Sequence, residues 1–202
     1  MPLPTSVVTF LFTDIESSTR IWEAHPEAMR VALQQHDALL RQAIENQGGS
    51  IFKTVGDAFC AVFPTAKAGL AAARAAQEEL ATEDWPEPLT IKVRMALHSG
   101  IAEHRDGDYF GPPLNRVARL LAAGHGGQTL LSQATLELLG ESPDFIELGL
   151  HRLKDLPEPE RIWQLPGDFP PLRSLPLYPH NLPSQRTTFI GREQEKRTLL
   201  LC

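Results

Sequence analysis

The chain has 202 residues, of which 42% are hydrophobic and 22% are charged, and this balance is typical of a globular protein with one sizeable α/β domain. Its formal net charge of −6 argues against a general nucleic-acid or membrane-surface role. Two cysteines, no signal-peptide pattern and no apolar run of about 18 residues argue against a disulfide framework, secretion and a membrane span, so we expect a cytoplasmic protein.

The first half of the chain predicts strands that alternate with helices. Four segments are β-branched and aromatic or alternate between apolar and polar side chains, as strands do: residues 6–13, 50–54, 57–63 and 89–98. Two segments carry apolar or alanine-rich stripes at helical spacing: residues 26–46 and 66–82. The second and third strands are expected to form a hairpin with Val55 and Gly56 at its turn.

The second half predicts shorter elements. The turn formers Asp106 and Gly107 indicate another hairpin, and Pro112 begins a helix that runs to about Ala123. A strand, a short helix and two closing strands follow in order: residues 128–132, 133–139, 144–150 and 160–165.

Prolines cluster after Pro166 and mark a change in organisation. We therefore expect a domain over residues 1–165 and a proline-rich linker over residues 166–202. The order of elements within the domain predicts an α+β fold, close to a ferredoxin-like βαββαβ core with added strands and helices. Helices packed mainly on one face would leave the other face of the sheet free for a ligand or a partner subunit.

Two carboxylates follow apolar segments at points that the predicted sheet brings together. Asp14 ends the first strand, and Asp57 follows a hairpin turn whose second strand is expected to lie antiparallel beside the first. Oxygen ligands on adjacent strands suit magnesium or manganese, which also bind phosphate oxygens, and the backbone carbonyl of Ile15 is a natural further ligand. The structural alternative is that Asp14 caps a helix beginning near Glu16.

Three polar residues could complete such a site. Lys53 is either a solvated strand lysine or a hydrogen-bond donor to a base or phosphate in a cleft. Asn115 and Arg119 are four residues apart and share one helix face. That face is either an ordinary polar surface or a phosphate-facing pair, because the arginine fork matches phosphoryl oxygens.

Several separated motifs together resemble the class III nucleotidyl cyclase catalytic domain, the family of adenylate and guanylate cyclases, in its soluble bacterial type. Phe-Thr-Asp-Ile stands at residues 12–15, and Lys-Thr-x-Gly-Asp stands about forty residues later at 53–57. Gly-x-x-x-Asn-x-x-x-Arg follows at residues 111–119. The resemblance covers roughly residues 5–165, and it implies the α/β sandwich of that family.

The resemblance implies that Asp14 and Asp57 bind two Mg²⁺ or Mn²⁺ ions per site, with the carbonyl of Ile15 as a further ligand. It also implies the reaction. The ribose 3′-hydroxyl of a nucleoside triphosphate attacks the α-phosphate and releases pyrophosphate, which gives a 3′,5′-cyclic nucleotide.

Substrate choice is implied by two further positions. Lys53 resembles the purine-selecting lysine, and Asp108 stands at the partner position that accepts a hydrogen bond from the adenine amino group. A guanine-specific relative would carry an acidic residue in place of Lys53 and a small polar or thiol residue in place of Asp108, so ATP is the expected substrate. Asp106 or a shifted register in this polar loop is the alternative base contact.

Catalysis in this family takes place between two subunits. Asn115 resembles the ribose-orienting asparagine, and Arg119 resembles the arginine that stabilises the pentavalent phosphate. Because the chain carries every one of these residues, the resemblance implies a homodimer with two equivalent sites and an inactive monomer.

Residues 181–193 resemble the beginning of a signalling ATPase module found in multidomain bacterial regulators, although the phosphate-binding lysine loop that should follow is absent. The first interpretation of the chain is thus an adenylate cyclase. The alternative is a weak or inactive cyclase-like regulatory domain that binds nucleotide and controls a downstream ATPase or transcription-regulator module.

Overall fold

The computed structural model describes residues 6–140, 144–175 and 177. Nine strands lie in this part of the chain: β1 (Val8–Ile15), β2 (Ser50–Val55), β3 (Ala58–Phe63), β4 (Val93–Gly100), β5 (Glu103–Arg105), β6 (Asp108–Phe110), β7 (Thr129–Ser132), β8 (Ile146–His151) and β9 (Glu160–Gln164). Five helices accompany them: α1 (Ser18–Ala24), α2 (Pro26–Asn46), α3 (Ala66–Thr82), α4 (Pro112–Ala123) and α5 (Gln133–Leu139). None of these helices is long and apolar enough to cross a membrane.

Seven strands form one sheet in the order β2-β3-β1-β4-β7-β9-β8, and β5 pairs with β6 in a separate hairpin. The order of the first four strands is that of a ferredoxin-like βαββαβ unit, with β1 antiparallel to both β3 and β4. The predicted α+β fold is therefore confirmed, and β7, β9 and β8 are the added strands.

Both faces of the sheet carry helices. Side chains alternate along β1, so Leu11 belongs to the core beneath α2 and α3, whereas Phe10 belongs to the core beneath α4. The buried side of α4 contributes Val117 and Leu120 to this second core. The expectation of a face left free is therefore only partly right, because α4 covers part of it.

The structure corrects one strand boundary and excludes the structural alternative for Asp14. β4 begins at Val93 rather than at residue 89, because its ladder with β1 ends where Val93 pairs with Ile15. The short helix α1 is an addition, and its N-cap residue is Ser17. Asp14 lies within β1 and so does not cap a helix.

Residues 166–175, which we call the C-terminal segment, run back over the domain. The backbone N–H of Arg173 donates to the carbonyl of Ala123 at 2.9 Å, and that of Leu175 donates to the carbonyl of Arg152 at 2.9 Å. The domain boundary at residue 165 stays a prediction, and the ATPase-like residues 181–193 lie outside the described part of the chain.

A buried chain of hydroxyl groups joins β1, β4 and α5. Ser99 lies 2.8 Å from Thr9 and 3.1 Å from Thr135, measured between hydroxyl oxygens. His98 Nδ1 lies 2.7 Å from the Ser132 hydroxyl. All of these side chains are buried, so the network ties the sheet together and leaves no exposed nucleophile.

We expect His98 to reduce stability by about 2 kcal/mol when the pH falls from about 7 to about 5. Burial, and secondly the charge of Arg116, lower the pKa of His98 from 6.5 to about 4. The unfolded chain takes up a proton below pH 6.5 that the folded chain resists until about pH 4, so stability is lost as the pH falls through this window. Urea denaturation of the wild type and of His98→Asn, which does not titrate, measures the effect. The same pH dependence in both chains would contradict it.

Candidate functional site

Asp14 is held by its cross-strand neighbour at the end of β1. Arg94, which pairs with Asp14 in the β1–β4 ladder, donates from Nε to Oδ1 and from Nη2 to Oδ2, both at 2.6 Å. Burial raises the pKa of Asp14 above its usual value; Arg94 opposes this shift, and the nearby charges of Asp57 and Glu16 add to it. The sequence motifs did not indicate Arg94, although it is the one arginine or lysine of β4.

Asp57 lies in the turn between β2 and β3. Gly56 has a φ of 62°, a left-handed conformation that glycine adopts without strain, so the turn is one residue later than expected. The carboxylate accepts hydrogen bonds from the backbone N–H of Ile15 at 2.8 Å and from the hydroxyl of Ser18 at 3.2 Å. The structure therefore brings Asp57 to the end of β1, beside Asp14, as the sequence predicts.

These two carboxylates form a small oxygen-rich centre. Among the described residues there is no cluster of three or more His, Cys, Asp or Glu side chains arranged to hold a metal ion. Asp14 and Asp57 each accept two hydrogen bonds, which leaves part of the roughly four lone-pair sites of each carboxylate for other ligands. These carboxylate oxygens suit a hard divalent cation that is bound by protein carboxylates and substrate phosphates together.

Lys53 and Asp108 meet between β2 and β6. Lys53 Nζ donates to Asp108 Oδ2 at 2.7 Å, and Asp108 Oδ1 accepts from the backbone N–H of Tyr109 at 2.8 Å. Their hydrogen bond raises the pKa of Lys53 and lowers the pKa of Asp108. Asp106 lies in the exposed β5–β6 turn with a φ of 53°, and the carboxylate that pairs with Lys53 is that of Asp108, the first residue of β6.

Three aromatic rings fix this pair in place. Phe52 and Tyr109, the sequence neighbours of Lys53 and Asp108, pack edge to face with ring centroids 5.1 Å apart. Phe10 of β1 contacts both rings, at 6.0 Å and 5.4 Å. The β5–β6 hairpin is therefore anchored to the main sheet by apolar contacts, a role that the sequence analysis did not assign.

The helix α4 carries the other polar pair. Gly111 precedes it with a φ of 123°, which a residue with a side chain rarely adopts, and this geometry directs the chain from β6 into the helix. Asn115 is exposed and its side chain makes no hydrogen bond within the described residues, whereas Arg119 Nη2 donates to Asp155 Oδ2 at 2.6 Å. Asp155, in the connection between β8 and β9, was missed by the sequence analysis because it is distant along the chain.

Within a single chain, Asn115 lies far from Asp14 and Asp57. Pro113 packs on Gly100, where an added Cβ would lie 2.9 Å from the proline ring, and Gly100 pairs with Val8 at one end of β1. The strand from Val8 to Asp14 spans about 20 Å at roughly 3.3 Å per residue. Asn115, at the start of α4, is therefore near the opposite end of the sheet from Asp14.

Sequence comparisons with known proteins indicate one family. The chain matches the adenylate and guanylate cyclase catalytic domain over residues 2–164. An uncharacterized protein of Mycobacterium tuberculosis is 40% identical, and the match covers 95% of this chain and 69% of that protein. The adenylate cyclase of Podospora anserina is 31% identical, over 97% of this chain and 11% of that enzyme.

Comparison with solved structures indicates the same family. A solved adenylate cyclase structure from Trypanosoma brucei, in its monomeric state, has a TM-score of 0.77 at 29% identity and covers 85% of this chain and 96% of that chain. The chain therefore belongs to the adenylate and guanylate cyclase catalytic domain family.

Proposed function

We propose that this protein is an adenylate cyclase that converts ATP to 3′,5′-cyclic AMP and pyrophosphate. The observation that carries the proposal is the meeting of Asp14 and Asp57 at the end of β1, in a chain whose family catalyses this type of reaction. Several relatives, among them the Podospora anserina enzyme, are named adenylate cyclases.

Asp14, Asp57 and the carbonyl of Ile15 are the residues to which we assign two Mg²⁺ or Mn²⁺ ions. Bound there, the cations supply charge neutralisation for the phosphates and a lower pKa for the attacking hydroxyl. Arg94 supports this assignment, because it holds the Asp14 carboxylate in one orientation through two hydrogen bonds.

The remaining residues position the substrate and stabilise its charge. Asn115, unpaired and exposed, is assigned to the ribose, and Arg119 is assigned to the α-phosphate. A phosphate oxygen must replace the Asp155 carboxylate on Arg119, and since this ion pair is substantially exposed, the exchange costs little. The 3′-hydroxyl then gives up its proton to solvent while its oxygen forms a bond to the α-phosphorus, and the bond to pyrophosphate breaks.

A homodimer is part of the proposal. Within the described residues, no hydrogen bond or ion pair joins Asp14 or Asp57 to Asn115 or Arg119. A twofold pair of chains can instead bring the aspartates of one chain to α4 of the other, which gives two equivalent sites.

The direct test is turnover of ATP, GTP, CTP and UTP by the purified protein with Mg²⁺ and with Mn²⁺, measured by chromatography of the products. We expect cyclic AMP from ATP, and pyrophosphate in equal amount. Nucleotide binding without any cyclic product would instead favour the regulatory-domain alternative. A cyclic product from GTP in preference to ATP would contradict the substrate assignment.

Asp108→Ala is expected to reduce the preference for ATP over GTP by about 10²-fold or more, because a site built to hydrogen-bond the base discriminates strongly against analogues. Its matched control is Asp106→Ala, which removes a carboxylate from the same hairpin without touching Lys53. The kcat/KM ratio for the two nucleotides measures the effect. A collapsed preference in Asp106→Ala with an unchanged one in Asp108→Ala would show that the assignment in this loop is wrong.

A further inference from the structure

Glu16 directly follows the proposed metal-binding residues and is tied down from several sides. Its backbone N–H donates to the carbonyl of Lys92 at 2.9 Å, and its carboxylate faces the backbone of Gly126, which, with Arg173, helps to lower the pKa of Glu16. An added Cβ at Gly126 would lie 2.6 Å from Lys92 Cβ and 2.8 Å from Glu16 Oε2, so glycine is required for this close approach. The turn after β1 is thus packed against the loop that follows α4.

The C-terminal segment reaches the same point. Arg173 Nη2 donates to Glu16 Oε1 at 2.6 Å, across 157 positions of sequence. The backbone N–H of Arg173 donates to the carbonyl of Ala123, the last residue of α4, at 2.9 Å. His125 Nε2 lies 3.0 Å from the carbonyl of Pro171, which adds a second contact between this segment and the loop after α4.

Arg173 therefore touches, within one chain, the segment that follows the aspartates and the helix that carries the other polar pair, which in the proposed dimer belong to two neighbouring sites. Its side chain binds the turn that continues from Asp14, and its backbone binds the end of the helix that carries Asn115 and Arg119. Neither contact involves a residue assigned to substrate or metal. A displacement of the C-terminal segment would act on the two halves together.

We propose that Glu16 and Arg173 are positioning residues whose ion pair makes the geometry of the cyclase site depend on the C-terminal segment. The effect on catalysis rests on the proposed function, whereas the mechanical link between the segment and the turn after β1 does not. Through this link, packing or tension on the chain beyond Arg173 reaches the end of β1 and the end of α4. The segment is thereby a route for regulation of the site.

The direction in which Arg173→Gln changes the metal concentration needed for activity distinguishes a positioning role from a simple effect of charge. Arg173→Gln removes a positive charge near the proposed cation site, so charge alone would strengthen metal binding. Loss of positioning predicts the opposite. We expect the Mn²⁺ concentration for half-maximal activity to rise roughly 3- to 10-fold, with a smaller change in kcat at saturating metal, as for the loss of one coupling between neighbouring groups.

The matched control is Arg161→Gln. Arg161 makes an ion pair with Glu147 between β9 and β8, and the two arginine side chains have similar exposure, 44% for Arg161 and 48% for Arg173. The control removes the same charge from the same domain without touching Glu16, so its metal dependence should stay at the wild-type value.

Hydrogen–deuterium exchange of the full chain provides a readout that needs no activity. Arg173→Gln is expected to increase amide exchange about 3-fold or more both in residues 166–175 and in residues 14–18, while Arg161→Gln leaves both unchanged. The double variant Glu16→Arg with Arg173→Glu reforms the ion pair with reversed charges. It should therefore restore slow amide hydrogen exchange in residues 166–175.

The outcomes are distinct. Faster exchange confined to residues 166–175, or a lower metal requirement in Arg173→Gln, overturns the positioning role. If the wild type forms no cyclic nucleotide under any condition, the proposed function fails, and the exchange experiment still decides whether Arg173 controls the turn after β1.

Discussion

Asp57→Ala is expected to reduce cyclic AMP formation by about 10³-fold or more. The carboxylate is one of two side-chain ligands that we assign to the cations. Their charge stabilisation lowers the barrier by several kcal/mol, and each 1.4 kcal/mol is about a factor of ten in rate. The side chain also accepts hydrogen bonds from Ile15 and Ser18, so about 1 kcal/mol of stability per bond is lost with it. Turnover and the thermal midpoint are measured on the same preparation.

Asp57→Asn separates these two effects. The amide oxygen still accepts a hydrogen bond from the backbone of Ile15, so the fold should lose less stability than in Asp57→Ala. The neutral amide binds a hard cation poorly, so the activity should fall nearly as far. Asp106→Ala, in an exposed turn, serves as a folded control with wild-type turnover. A folded Asp57→Ala chain with unchanged activity would contradict the metal-binding role.

Four charged residues of the proposed site, all except Asp57, are already in ion pairs within one chain. Arg94 holds Asp14, Lys53 holds Asp108 and Asp155 holds Arg119, each with a nitrogen–oxygen distance of 2.6 or 2.7 Å. Pairing avoids the cost of leaving an isolated charge half-buried before substrate arrives. Substrate binding then replaces Asp155 on Arg119 by a phosphate oxygen, whereas Arg94 stays on Asp14 and keeps its orientation. No sequence motif indicated Arg94 or Asp155.

Local sequence patterns were sufficient for much of the fold. The glycine turn before Asp57 predicts the β2–β3 hairpin, because a tight turn joins two antiparallel neighbours. The pairing of β1 with β3, which brings Asp14 to Asp57, follows from the ferredoxin-like strand order. Proline at the start of α4 and an amphipathic stripe predict the helix that carries Asn115 and Arg119 with correct bounds. The motif spacing then indicated the family, which the comparisons confirmed.

The remaining features depend on tertiary arrangement. The pairing of Arg94 with Asp14 requires the β1–β4 register, which the expected strand start at residue 89 did not provide. The packing of α4 against the second face follows from the direction of the chain after β6, not from its amphipathic pattern alone. The contact between Glu16 and Arg173 joins residues with no local signal, so proline content alone predicted a linker there.

Mixing two inactive variants is expected to restore about a quarter of wild-type activity. Asp57→Ala removes a group from the aspartate half of the site, and Arg119→Ala removes a group from the α4 half. If each site combines one half from each chain, a heterodimer has one site with both defects and one site with neither. Random exchange puts about half of the chains in heterodimers, each with one intact site of two, which gives roughly a quarter of the activity at equal total protein.

The measurement needs evidence that subunits exchange. Labelling the two variants with different tags and co-purifying them provides it, and a titration of total protein should show activity rising more steeply than concentration where dimers dissociate. The matched control mixes Asp57→Ala with Asp14→Ala, which damage the same half and leave no intact site in any pairing. Recovery in the first mixture but not in the second supports sites shared between two chains. Equal failure of both mixtures, with exchange demonstrated, would place the complete site within one chain or favour a purely regulatory domain.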